Sequence, residues 1–202
     1  MSKVLKFGGK SLASLHNNTD ILQIINYHAE LSSLIIVVSA IGNTTDILLE
    51  LLRKAKNNEP YQELLNELKH LNFYPKINTE DQFQLIENIL QGVSLIQDYS
   101  TKVQDLLLAQ GELISSKVIT EILNEKRYEA IFLDSTQLIK TDSYFGSANV
   151  NETLTEIAIK EQFSKINSSK LVVLGGFIGS NENGEITTLG RNGSNLTAAL
   201  IA

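Results

Sequence analysis

The chain has 202 residues, 43% of them hydrophobic, enough for one large domain or two small ones with a substantial core. Its net charge of -6, without a basic block, argues against nucleic acid as a partner but still permits local cations that hold anionic substrates. The lack of cysteine excludes a disulfide framework, thiol catalysis and a cysteine metal site. No apolar run reaches transmembrane length, and the N-terminus lacks a signal-peptide plan. A cytoplasmic protein without membrane contact is therefore expected.

In chain order, residues 3–7 read as a short strand ended by Gly8-Gly9. The stretch "KVLKFGGKS" closes on Gly9-Lys10-Ser11, the tail of a P-loop. That loop needs a glycine five residues before Gly9, where Val4 stands inside the strand, so the register excludes it. A helix is expected over about 17–31, with Leu22, Ile25 and Tyr27 near its buried side. Residues 34–38 form a continuous apolar, β-branched run. Such a run suits a strand buried on both faces, in a parallel sheet between helix layers. After the loop at 39–43, Thr44 or Thr45 is placed to cap a helix reaching about Lys56.

Residues 57–126 read as helix after helix. Pro60 fits a helix start and Pro75 breaks the run. Thr79 begins a capped segment, with Leu85, Ile89, Val93 and Ile96 at spacings of three and four. A third run starts near Ser100 and continues to about Lys126. Strand patterns return at 128–133 and at 138–140. A helix follows near 152–166, then a strand at 171–174, Gly175-Gly176, and a hairpin turned at Asn183-Gly184. The closing "GSNLTAALIA" looks like the first turns of a helix, which suggests a longer natural chain. Alternation at both ends around a helical insertion predicts an α/β fold, a three-layer αβα sandwich with a largely parallel sheet. His16, His28 and His70 are scattered without ligand spacing. They read as surface or helix-flank residues, and no metal ligands are expected.

Open α/β sheets bind ligands beyond the carboxyl ends of their strands. Four loops of small residues leave strands here: Gly8-Gly9, Ser39-Ala40-Ile41-Gly42, Gly175-Gly176 and Gly190-Arg191-Asn192-Gly193-Ser194. Glycines let backbone N–H groups approach a phosphate. Lys6 precedes the first pair, and Arg191 precedes an expected helix start. Together they describe an anion pocket, phosphate included, although each glycine pair singly reads as a plain turn. Gly111 is odd, because a glycine inside a helix costs about 1 kcal/mol against alanine. Its neighbour Glu112 reads either as a solvated surface residue or as the receiver of a ligand's ammonium group.

In combination these segments resemble the aspartate kinases. "KVLKFGGKS" is similar to the family's opening K-F-G-G-T-S, and "IIVVSAIGNTTDILLE" to its V-V-S-A loop and T-T-D helix start. "LLAQGELISSKVI" resembles its Gly-Glu helix. "GGFIGSNENGEITTLGRNGSNLTAALIA" resembles the segment ending G-R-G-G-S-D-x-T-A-A. "SYFGSANVN" resembles the kinase half of the bifunctional aspartokinase–homoserine dehydrogenases. The matches occur in order along the whole chain.

The resemblance implies the amino-acid-kinase fold and ATP-dependent phosphorylation of the side-chain carboxylate of L-aspartate, the first step of lysine, threonine and methionine biosynthesis. It implies ATP with Mg2+, and a homodimer. Lys6 would stabilise the transferring phosphoryl group, with Asn195 at the reaction centre. Gly8 and Gly9 would cradle phosphate, with Lys10 beside them. Ser39, Thr45, Glu112, Arg191 and Ser194 would hold aspartate, with Phe177 close by. Glu112 suits the α-ammonium and Arg191 a carboxylate.

The sequence departs from this pattern at several points. Lys10 replaces a threonine, placed either to pair with phosphate or to obstruct it. Asn192 replaces a glycine, which matters where φ must be positive. Asn195 replaces an aspartate, keeping its shape and losing its charge. The family's nucleotide-binding segment is expected beyond Ala202, so the 202 residues are read as the N-terminal, aspartate-binding part. The alternative is a kinase-derived binding or regulatory domain without catalysis.

Overall fold

The computed structural model describes residues 3–13, 19–29, 33–166 and 171–202. Four strands, β1 (Lys3–Phe7), β2 (Leu34–Val38), β3 (Ala130–Phe132) and β4 (Leu171–Gly175), form one sheet in the order β1-β2-β4-β3. Every pairing in it is parallel. β2 is buried at all five positions, as its unbroken apolar run requires. Leu34, Ile36 and Val38 face one helix layer, built from α2 (Thr19–Ala29), α3 (Thr44–Lys56), α4 (Gln62–Leu71), α5 (Glu80–Ile96) and α6 (Thr101–Glu125). Ile35 and Val37 face the other layer, built from α7 (Glu152–Ser164) and α8 (Gly193–Ile201). The three-layer α/β architecture is the expected one, with α3 to α6 inserted between β2 and β3. An antiparallel hairpin, β5 (Ile178–Ser180) and β6 (Ile186–Thr188), turns through Asn183 and Gly184.

Several local expectations need correction. β1 does not end in an open loop: α1 (Gly9–Leu12) follows at once, and the Leu12 N–H donates to the Gly8 carbonyl at 3.1 Å. A methyl group on Gly9 would collide with the Ala40 carbonyl oxygen, so glycine lets this turn lie against the loop after β2. The Gly42 N–H fixes that contact by donating to the Gly9 carbonyl at 2.9 Å. In α2 the buried pair is Ile21 and Ile25, four residues apart, while Tyr27 is exposed. Two residues past Ile25 is about 200° around the helix, on the far side. In α5 the buried stripe is Ile86, Leu90 and Val93, so Leu85 and Ile89 flank it and Ile96 is exposed.

Residues 138–140 are not a strand. A 3-10 turn at Ser135–Gln137 precedes them, Leu138 and Ile139 plug the second core, and Lys140 makes a single bridge to Ser180. Neither Thr44 nor Thr45 caps α3: the cap position is Asn43, and the Thr44 hydroxyl is buried and accepts from Asn72 Nδ2 at 2.9 Å. Thr79 occupies the cap position of α5 without a side-chain bond, whereas Ser100 caps α6 by accepting from the Val103 N–H. His28 lies in α2 and His70 in α4; His16 lies outside the described residues.

Candidate functional site

A cleft of about 300 Å³ opens at the carboxyl ends of β1 and β2, lined by Lys6, Ser39, Thr45, Glu112, Phe177, Gly190, Asn192, Gly193, Ser194 and Asn195. They arrive from several elements. Lys6 comes from β1, Ser39 from the end of β2 and Thr45 from the first turn of α3. Glu112 projects from the middle of α6, and Phe177 follows β4. Ser194 and Asn195 stand in the first turn of α8.

The walls hold each other closely. The Ser39 hydroxyl donates to the Ser194 hydroxyl at 3.1 Å. The Ser115 hydroxyl, on α6, donates to the Ser39 carbonyl at 2.7 Å. A methyl group on Gly176 would lie 2.6 Å from Ser194 Cβ, so only glycine lets α8 begin this close to β4. Phe177 has a left-handed backbone, φ 70°, held by its N–H donating to Thr197 Oγ1 and its carbonyl accepting from the Leu189 N–H. Asn192 is also left-handed, φ 61°, and asparagine is the non-glycine residue that tolerates this best.

Glu112 is 4% exposed, which rules out the solvated-surface reading. Burial pushes its carboxyl up to about 8, against the opposing pull of the Ala40 N–H and of Lys6. Its Oε2 has no hydrogen-bond partner. A buried carboxyl oxygen left unpaired is costly, and an incoming ammonium group would satisfy it. The starts of α3 and α8 carry the positive ends of two helix dipoles to the same cleft, beside Lys6 and three hydroxyl-bearing side chains. The cleft thus offers one place for a cation and several for anions.

Arg191 is exposed and stands outside the lining, as do Gly8, Gly9 and Lys10. Gly190, Asn192 and Gly193 line the cleft through the loop that the sequence marked as glycine-rich. Ser115 and Asp105 went unrecognised, although both are polar residues on the buried face of α6, three residues after and seven before Glu112. A larger depression of about 470 Å³ lies around Lys140, Asp142, Asn149 and Asn181. Its polar groups are already engaged: Lys140 Nζ donates to the Thr136 carbonyl, and Asn181 Nδ2 to Glu185. The smaller cleft holds the unpaired carboxyl oxygen of Glu112. No helix among the described residues is long and apolar enough to cross a membrane. None of the described His, Asp or Glu residues cluster in a way that could hold a metal.

A parallel sheet that gathers helix starts, a lysine and a buried carboxyl group beyond its strand ends defines a small-ligand-binding α/β domain. The chain belongs to the amino acid kinase family, whose model matches residues 1–202. It is similar to lysine-sensitive aspartokinase 3 of Escherichia coli (strain K12), with 31% identity over 98% of this chain and 45% of that protein. It is also similar to the bifunctional aspartokinase/homoserine dehydrogenase of Buchnera aphidicola subsp. Acyrthosiphon pisum (strain APS), with 26% identity over 99% of this chain and 26% of that protein. The crystal structure of E. coli aspartokinase III in complex with aspartate and ADP, in its R-state, matches with a TM-score of 0.85 and 31% identity. That match covers 100% of this chain and 46% of the other. The chain therefore spans less than half the length of these relatives.

Proposed function

We propose that this chain is the aspartate-binding part of an aspartate kinase, acting in the ATP-dependent phosphorylation of the L-aspartate side-chain carboxylate. The observation that carries this reading is the unpartnered Oε2 of Glu112, buried in a cleft that also gathers Lys6, three hydroxyls and two helix starts. A ligand that satisfies all of these has one ammonium group and more than one anionic group, as an acidic amino acid has. The relatives support the choice of aspartate, since one of them was solved with aspartate and ADP bound.

On this reading Glu112 receives the α-ammonium. Ser39, Thr45 and Ser194 hold carboxylate oxygens, and Arg191 closes on one of them by a two-pronged contact. Phe177 forms the wall beside the substrate. Lys6 lies at the reacting end, where two anions must be brought together and positive charge supplies much of the rate. Gly8, Gly9 and Lys10 flank the phosphate side, and Asn195 stands at the reaction centre. The remaining nucleotide contacts fall to residues outside these 202. Magnesium belongs with the nucleotide substrate: among the described residues Glu112 is the sole carboxylate in the cleft lining, so they offer no carboxylate set to a resident ion. A cytoplasmic homodimer completes the proposal.

A second reading is a binding or regulatory domain without turnover. Asn195 favours it, because an amide in the cleft can neither accept a proton nor balance Lys6.

Thermal unfolding with L-aspartate, L-glutamate and D-aspartate tests the substrate assignment. A ligand at one hundred times its dissociation constant adds about 2.7 kcal/mol to folding. We expect a rise in melting temperature with L-aspartate alone. A cooperative transition unmoved by L-aspartate would overturn the assignment.

A further inference from the structure

We propose that Asp105 is a positioning residue that sets the Gly190–Asn195 wall of the cleft at its distance from Glu112; the ligand consequence rests on the aspartate reading above. Asp105 lies on α6, fully buried, seven residues before Glu112. Seven residues return to the same helix face about 10 Å along the axis. One rigid helix thus carries both carboxyl groups.

The Asp105 carboxylate gathers donors from two distant segments. Oδ2 accepts from the Gly146 N–H and the Thr188 N–H, both at 2.9 Å, and Oδ1 accepts from the Thr188 hydroxyl at 2.8 Å. Thr188 is the last residue of β6, two before Gly190. Its carbonyl accepts from the Ala148 N–H at 2.8 Å, which ties the second segment to the first. Between them Ser147 sits hard against Gly190: a methyl group on that glycine would lie 2.8 Å from Ser147 Oγ. Two routes therefore lead from one carboxylate to Gly190, one along the chain through Thr188 and one across it through Gly146 and Ser147. From Gly190 the loop runs straight into Asn192, Gly193 and Ser194 of the cleft. Asp105 itself does not line the cleft, so its effect on a ligand must pass through that loop.

The test separates the Thr188 hydroxyl donor from the side chain's methyl group. Thr188→Val keeps the volume of this buried residue and removes only the hydroxyl donor. Thr188→Ser keeps the hydroxyl and loses a methyl group. Hydrogen exchange read by mass spectrometry over residues 189–195, without ligand, should quicken about tenfold in Thr188→Val and stay unchanged in Thr188→Ser. The dissociation constant for L-aspartate should rise about tenfold or more in Thr188→Val, the scale of one hydrogen bond to a charged group, and hold within about twofold in Thr188→Ser. Asp105→Ala, which leaves two backbone N–H groups and the Thr188 hydroxyl without their acceptor, should exceed Thr188→Val in both readouts; if it does not fold, the Thr188 pair decides. Unchanged exchange over 189–195 in Thr188→Val would overturn the proposal, as would equal changes in Thr188→Val and Thr188→Ser. Failure of the unsubstituted chain to bind L-aspartate would remove the aspartate reading and leave the exchange result to judge Asp105.

Discussion

The hydroxyls of Ser39 and Ser194 meet at 3.1 Å across 155 positions of sequence, joining the end of β2 to the first turn of α8. Both line the cleft, and the Ser39 carbonyl is itself held by Ser115 from α6. The pair is part-buried and neutral, so its contribution to folding is modest, while under the proposed aspartate reading both oxygens would hold a carboxylate. Ser194→Ala is expected to lower stability by about 1 kcal/mol and to weaken L-aspartate binding about tenfold, the scale of a lost bond to a charged group. Urea unfolding and titration calorimetry measure the two effects separately. Undiminished L-aspartate binding in a less stable variant would mean that Ser194 serves only the fold.

Glu112 makes stability and binding depend on pH in opposite senses. Burial raises its carboxyl from an ordinary 4.5 to about 8. The folded protein therefore holds this proton more tightly than the unfolded chain does. The stabilisation is fully present below 4.5 and is lost as pH rises toward 8, with a limiting slope of about 1.4 kcal/mol per unit. A bound ammonium group favours the ionised form, so L-aspartate should release a proton on binding below pH 8 and bind more tightly as pH rises to that value. Calorimetry in buffers of different ionisation enthalpy detects the proton. Glu112→Gln should remove the slope from the stability profile, unfold less readily at pH 8, and bind no L-aspartate. A Glu112→Gln chain with undiminished binding would remove Glu112 from the site.

Two helix glycines should respond to alanine in opposite directions. Gly92, in α5, has open space where a Cβ would stand. Gly111, in α6, would place that Cβ 2.9 Å from Thr44 Cγ2 and 3.2 Å from Ala40 Cβ, where α6 crosses the start of α3. Gly92→Ala should stabilise the protein by about 0.5–1 kcal/mol. Gly111→Ala should destabilise it by about 1–3 kcal/mol and loosen L-aspartate binding, because it pushes the cleft's α3 wall away from Glu112. Thermal unfolding of the two variants side by side checks the contrast. Stabilisation by both would mean that the crossing gives way without cost.

How much of this was legible depended on what each residue answers to. The strand at β2 was readable because five consecutive apolar residues leave no solvent face, and the hairpin because Asn183-Gly184 fits a tight turn. Tyr27 and Ile96 misled because an apolar side chain near a buried stripe reads as part of it, and only packing decides which rotation of the helix is covered. Residues 138–140 look like a strand because Leu138 and Ile139 form a short apolar pair, yet those two fill the core as a plug after a 3-10 turn. Glu112 could be singled out beside Gly111, but its burial could not, since that depends on β4 and α6 meeting: a Cβ on Gly175 would lie 3.1 Å from Glu112 Cβ. Asp105 gave no local signal beyond being a carboxylate on an apolar helix face, and its three donors come from 41 and 83 positions away.

Lys10 and Asn195 both depart from the aspartate kinase pattern, and their positions separate their consequences. Lys10 is exposed in α1 and outside the cleft lining, so Lys10→Thr should leave L-aspartate binding within about twofold, as surface changes away from a site do. Asn195 lies in the lining beside Ser194, and Lys6 lines the same cleft. Its amide cannot take up a proton or oppose the lysine's charge, and a positioned acid–base group contributes about 100-fold or more to a rate. We expect Asn195→Asp to raise aspartyl phosphate formation from ATP and L-aspartate by about that factor, without tightening L-aspartate binding. Trapping the acyl phosphate with hydroxylamine measures the first effect, and calorimetry the second. Equal and measurable rates from the two forms would show that the lost charge does not limit the chemistry, and the reading of this chain as a binding domain without turnover would lose its main support.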